Sequence, residues 1–142
     1  MNLSPHFTYE ELIVTDHREF DNTPNENEIQ NLFRLAEFLE VVKTVLDDRP
    51  IMVNSAFRSK AVNDACGSRD SSAHRLGLAA DIRVPGLTPD QVTRALIDSK
   101  LPFDQVIREF DRWTHVAIPS TPVALPRLQA LIIDKAGTRN FA

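Results

Sequence analysis

Two of the four histidines in this 142-residue chain stand where a metal ion would need them. His74 falls in a polar stretch just before a strand-like apolar run, and Asp81 follows seven residues later inside that run. His115 lies in a second strand-like run, just after Trp113-Thr114. A histidine, a carboxylate and a second histidine form a three-ligand set, which for zinc leaves a fourth position open to water. Zinc lowers the pKa of such a water to about 7, so a nucleophile becomes available at neutral pH. Gly77 and Ala79 are small, which lets the backbone fold closely while both side chains converge on one point. Taken alone, the spacing leaves open whether these residues hold a metal or are polar groups at the edge of a core. His6 and His17 have no partner at metal-ligand spacing and read as surface or packing residues.

Composition narrows the other options. Cys66 is the only cysteine, so an internal disulfide and a cysteine-rich zinc site are both excluded. Its place between Ala65 and Gly67 suits a small buried residue. The net charge is −4 and no dense run of Lys or Arg occurs, which makes nucleic acid and anionic membranes poor partners. No apolar stretch approaches the roughly 18 residues that membrane insertion requires. Met1-Asn2-Leu3-Ser4-Pro5 has no basic segment followed by an apolar run, so synthesis in the cytoplasm without a signal peptide is expected. Length and an apolar share of 42% fit one domain over residues 1–142 with one core, expected to act as a monomer.

The candidate ligands need elements to position them. Residues 23–48 read as a long amphipathic helix with Ile29, Leu32, Phe33, Ala36, Leu39, Val42 and Leu46 on one face. Thr23 suits the cap, Pro24 the first helical position, and Glu26 completes a capping box. A strand is expected at 51–55, a short helix at 59–66 ended by Gly67, and a loop from there to Arg75. A second strand at 79–84 stops at Pro85-Gly86. Thr88-Pro89-Asp90-Gln91 repeats the capping pattern and opens a helix to about Ser99. Strands at 104–110 and 113–118 are close enough for a hairpin, and a last strand is expected at 128–134. This order argues for an α+β fold with helices packed on a mainly antiparallel sheet.

Several spaced motifs then agree with one family. Ser55-Ala56-Phe57-Arg58-Ser59, Val62-Asn63, Ser72-Ala73-His74, Gly77, Ala79, Asp81-Ile82 and Trp113-Thr114-His115-Val116 occur in order. Together they resemble the M15 peptidases: zinc D-Ala-D-Ala carboxypeptidases and L-alanyl-D-glutamate endopeptidases, many of them phage endolysins. The resemblance runs over roughly residues 3–118 and is strongest to the small phage and prophage-type branch, whose opening is similar to Leu3-Ser4-Pro5-His6-Phe7-Thr8-Tyr9-Glu10-Glu11-Leu12. It implies the hedgehog/DD-peptidase-like fold and zinc on His74, Asp81 and His115. It also implies that Arg58 binds a substrate carboxylate or carbonyl, and that Ser72 bonds the substrate backbone near the scissile bond. Trp113 reads as core packing beside the site.

Two departures stand out. Ala73 occupies the place where many relatives have Gln. Arg112 stands three residues before the last histidine, where many relatives carry the general base, and a guanidinium cannot accept a proton at neutral pH. Glu109 is the favoured replacement, since relatives with a longer turn are similar in placing a glutamate there. Asp111, or no working base at all, are the alternatives. Strand parity separates them: a two-residue turn at 111–112 puts Glu109 on the face opposite His115, whereas a three-residue turn at 110–112 keeps both on one face. The expected activity is zinc-dependent hydrolysis of peptidoglycan stem peptides at the bacterial cell wall, as a phage or prophage product. The alternative is a non-catalytic zinc-containing virion or interaction domain of the same fold.

Overall fold

In a computed structural model, which describes residues 1–141, the long apolar stripe forms α2 (Glu26–Val45) and buries Leu32, Leu35, Ala36, Leu39 and Val42. Its start differs from expectation. Asn25 is the cap and Glu28 completes the capping box, while the Thr23 hydroxyl bonds the Asp21 carboxylate. Thr23 and Asn25, two residues apart, are both cap-forming types, and a tertiary contact selects Asn25. Glu28 is buried and its second oxygen accepts a bond from Arg75, 47 residues away, which Glu26 has no means of replacing. A later helix (Pro89–Asp98) starts as expected on Thr88 with Gln91 closing the box.

A six-stranded sheet carries the rest. β3 (Met52–Ser55), β4 (Ala79–Arg83), β5 (Gln105–Glu109), β6 (Trp113–Ala117), β7 (Gln129–Asp134) and β8 (Gly137–Asn140) lie in the order β3-β4-β6-β5-β7-β8. Every pairing is antiparallel except β5 with β7, so the α+β expectation with a mainly antiparallel sheet holds. Four elements go beyond the expected set: the hairpin of β1 (Asn2–Ser4) and β2 (Phe7–Thr8), the single-turn α1 (Tyr9–Leu12), a 3-10 turn in the expected loop, and β8. All four residues of β8 are exposed, so no apolar alternation marks it in the sequence. Among the described residues, no helix is long and apolar enough to cross a membrane.

Side chains alternate across a strand, so the sheet has two different faces. On one, Ala80, Ile82, Val106 and Val116 join Leu32, Leu35 and Leu39 of α2 and Val92 and Leu96 of the Pro89–Asp98 helix in a continuous core. On the other, the register sets Ser55 beside Asp81, Asp81 beside His115, and His115 beside Ile107.

The excursion between β3 and β4 folds over this second face through α3 (Lys60–Ala65) and a 3-10 turn, Ala73–Leu76. Two anchors hold it. Gly77 closes the 3-10 turn at φ +75°, and a Cβ there would sit 3.0 Å from the Glu28 carbonyl oxygen and 3.2 Å from Leu32 Cγ. Asn31 of α2 adds a 2.9 Å bond to the Leu76 carbonyl. At the other end, buried Asn22 donates to the carbonyls of Ile13 (2.7 Å) and Phe57 (3.1 Å) and accepts from the Ser59 amide (2.7 Å).

Two stability predictions follow from these anchors. Gly77→Ala combines a left-handed backbone with a backbone clash, and is expected to cost about 2–3 kcal/mol. Asn22→Ala leaves one buried and two partly buried backbone groups unpaired and is expected to cost about 1–3 kcal/mol. Urea titration reads both as a lower midpoint at constant slope. Midpoints equal to that of the unsubstituted protein would show that neither contact anchors the excursion.

Candidate metal centre

Asp81 and His115 are direct partners in the β4–β6 pairing, which turns both side chains to the same face. His74 reaches them from the 3-10 turn, where the Ser72 hydroxyl caps by accepting from the His74 amide. The His74 carbonyl in turn accepts from the Arg58 amide at 2.9 Å. All three side chains are buried, and one ligand atom from each lies within 4.8 Å of the others. The Asp81 Oδ1 atom is 3.2 Å from His74 Nε2 and 3.0 Å from His115 Nδ1. The two imidazoles meet edge to face with ring centroids 5.0 Å apart.

The protonation pattern suits a cation. His74 Nδ1 lies 2.8 Å from the Ala56 carbonyl oxygen, which can only accept, so Nδ1 carries the hydrogen. Burial lowers the pKa of this ring against the pull of Asp81, which keeps the imidazole neutral. Nε2 then presents a lone pair to a carboxylate oxygen. Burial opposes the charge on Asp81, yet the attraction of His74 and His115 whenever they carry a proton holds its pKa well below the usual carboxylate range. Two acceptors therefore face each other across 3.2 Å, an arrangement that a positive ion between them resolves. The outer hydrogen bond from Nδ1 to a carbonyl is the support that metal-binding histidines ordinarily have. The donor set of two imidazoles and one carboxylate fits a divalent metal ion.

Around the cluster lies a cavity of about 380 Å³ whose lining includes Arg58, Ser72, Glu109 and Trp113. Arg58 is held in place by Ser55 Oγ (3.1 Å), Ser68 Oγ (3.3 Å) and Asp81 Oδ2 (3.3 Å). Cys66 also lines the cavity and is exposed at the end of α3, which corrects its expected burial.

The turn between β5 and β6 has three residues. Ile107 pairs with His115 and Glu109 with Trp113, which leaves 110–112 as the loop. Phe110 and Asp111 take positive φ of 54° and 51° to close it, although neither is glycine. Glu109 consequently shares the face of His115, with Oε1 at 3.9 Å from His115 Nδ1. Its Oε2 accepts from the Trp113 indole at 3.0 Å. Burial, and then the nearby Asp81 charge, push the Glu109 pKa up. Asp111 instead pairs with Arg108 at 3.1 Å and lies outside the cavity. Trp113 is half-buried and lines the cavity, outside the core where its residue type had placed it. His6 and His17 stand apart, paired with Glu40 and Glu19.

Three supporting groups had escaped the reading of the residues: the Ala56 carbonyl, the Ser68 hydroxyl and the Trp113 indole. Only the last leaves a sequence signal, since Trp-x-His alternation puts Trp113 on the His115 face.

The family described as Peptidase M15 matches this chain over residues 5–117, from the first hairpin to the end of β6, a span that contains every residue of the cluster and its cavity. No curated protein matches the chain. By the length and placement of the family match, the chain belongs to the peptidase M15 family.

Proposed function

We propose that this protein is a zinc-dependent peptidase that hydrolyses peptide bonds in peptidoglycan stem peptides at the bacterial cell wall. The observation that carries the proposal is Glu109. A partly buried carboxylate with a raised pKa faces the His74–Asp81–His115 cluster from the next position along the sheet. Zinc held by His74, Asp81 and His115 would supply Lewis acidity to activate water and to stabilise the oxyanion.

The remaining work falls to the chain. Trp113 holds Glu109 Oε2, which leaves Oε1 on the cluster side to take the proton of the attacking water and return it to the leaving amine. Neighbouring Arg112 cannot fill that role, and Asp111 is turned away by Arg108. Arg58 spends three of its five N–H groups on Ser55, Ser68 and Asp81, leaving one on each terminal nitrogen for a substrate carbonyl or carboxylate. The Ser72 oxygen accepts from the His74 amide, so its own hydrogen is free to bond the substrate backbone.

Glu109→Gln keeps an acceptor for Trp113 and removes the base. It is expected to lower stem-peptide turnover by about 10²–10⁴-fold with zinc content unchanged. Mass spectrometry of the digested peptidoglycan names the bond through the product masses. Full activity in the variant rules out Glu109 as base, and no product from the zinc-loaded unsubstituted protein favours the interaction-domain alternative.

Zinc is expected to raise the melting temperature by mass action, and His74→Ala to abolish the rise. Protons compete with metal for the ring nitrogens, so the rise should be smaller at pH 5 than at pH 7.5. A pH-independent rise, or one that survives His74→Ala, would place the metal elsewhere.

A further inference from the structure

Trp113 borders more than the metal cavity. On its other side lies a cleft of about 620 Å³ lined by Asp16, Asn54, Arg83, Arg112 and Trp113 itself. Arg83 follows Asp81 by one alternation of β4, so both project from the same face. Extending the register of Ile82 with Thr114 by one residue sets Arg83 opposite Trp113. The Arg83 Nε atom donates to Asn54 Oδ1 at 3.1 Å, which orients the guanidinium and leaves its terminal nitrogens free. Arg112, the third residue of the β5–β6 turn, makes no side-chain hydrogen bond or ion pair among the described residues. Neither arginine has a carboxylate partner among the described residues, which is also true of Arg18, Arg34, Arg49 and Arg69, but these two line one cleft together. The one acid on the cleft wall, Asp16, pairs with no cation among the described residues, so the cleft holds a net charge of one positive unit.

We infer that Arg83 and Arg112 form a subsite for a free carboxylate of the substrate, separated from the metal cluster by Trp113. The inference rests on the peptidase reading for the position of the scissile bond. One strand alternation spans about 7 Å, which an extended peptide covers in about two residues. The preferred substrate is therefore an acidic peptide with an unblocked carboxylate about two residues from the bond that is cut. Planar guanidinium forks suit that group, and a neutral amide in its place loses the charge-assisted part of the bond.

The test compares a stem peptide bearing free carboxylates with the same peptide fully amidated. Both are titrated into the zinc-loaded full chain carrying Glu109→Gln, with the fluorescence of Trp113, the only tryptophan, as readout. The acid form is expected to bind about tenfold more tightly, the scale of a charge-assisted hydrogen bond at a partly exposed site. Arg83→Ala with Arg112→Ala should remove that preference, the larger loss of affinity falling on the acid form. Both residues are exposed, so the melting temperature should hold. Equal binding of the two peptides, no binding of either, or a preference that survives the double substitution overturns the subsite. Hydrolysis by the unsubstituted protein is followed in parallel. A preference without hydrolysis supports the subsite and counts against the peptidase; hydrolysis without a preference does the reverse.

Discussion

Asp81 is an ionised carboxylate buried between two imidazoles, and much of the surrounding architecture answers to that fact. A buried charge is tolerated only when it is paired and hydrogen-bonded. Arg58 supplies the opposite charge, but its side chain must first be aimed by Ser55 and Ser68. His74 must present one particular nitrogen, and the Ala56 carbonyl ensures that it does. Apart from Ser55, the last residue of β3, these partners sit on the excursion between β3 and β4, which Gly77 and Asn22 pin to α2 and to the N-terminal segment. The chain of support thus runs from one carboxylate to contacts with several distant elements.

The sheet separates stability from chemistry. One face is apolar and packed beneath α2, while the other carries the polar row of Ser55, Asp81 and His115. Core packing can therefore stay tight without moving the polar groups, and the polar groups sit on strands that core packing holds rigid. Sites built on regular elements are held more closely than sites on loops. Of the three cluster residues only His74 lies outside the sheet, and its 3-10 turn is tied to α2 through Arg75 with Glu28, Leu76 with Asn31 and the close approach of Gly77.

The two faces also explain which features could be read from residues alone. Alternation and capping signals are local, so β4, β5, β6 and the helix opening at Thr88 were legible close to their observed limits. His74, Asp81 and His115 gained their meaning from the ordered motifs around them, since the spacing of two histidines and an aspartate left two readings open. Where tertiary contacts decide, local signals fell short. Thr23 is a sound cap, yet the Glu28–Arg75 pair draws the helix start to Asn25. The supports of the cluster include a main-chain carbonyl, which any residue type provides, so Ala56 carries no mark of its role. β8 is polar throughout and is defined by its pairing with β7. An exposed arginine on a strand, such as Arg83, carries no local signal of a role, because its meaning depends on neighbours from other elements.

Phe110 and Asp111 adopt a left-handed backbone to close a turn of three residues, and that number has an evolutionary reading. Because a strand has a period of two, a one-residue slip that pairs Phe110 with Trp113 across a two-residue turn at 111–112 would invert the facing of β5 relative to His115. Glu109 would then turn toward the helices while His74, Asp81 and His115 remained intact as residues. Within this fold, the register of one hairpin thus decides whether Glu109 meets the cluster, with no change to any of the three cluster residues. Lineages of such proteins should be sorted by hairpin register as well as by the identity of the cluster residues.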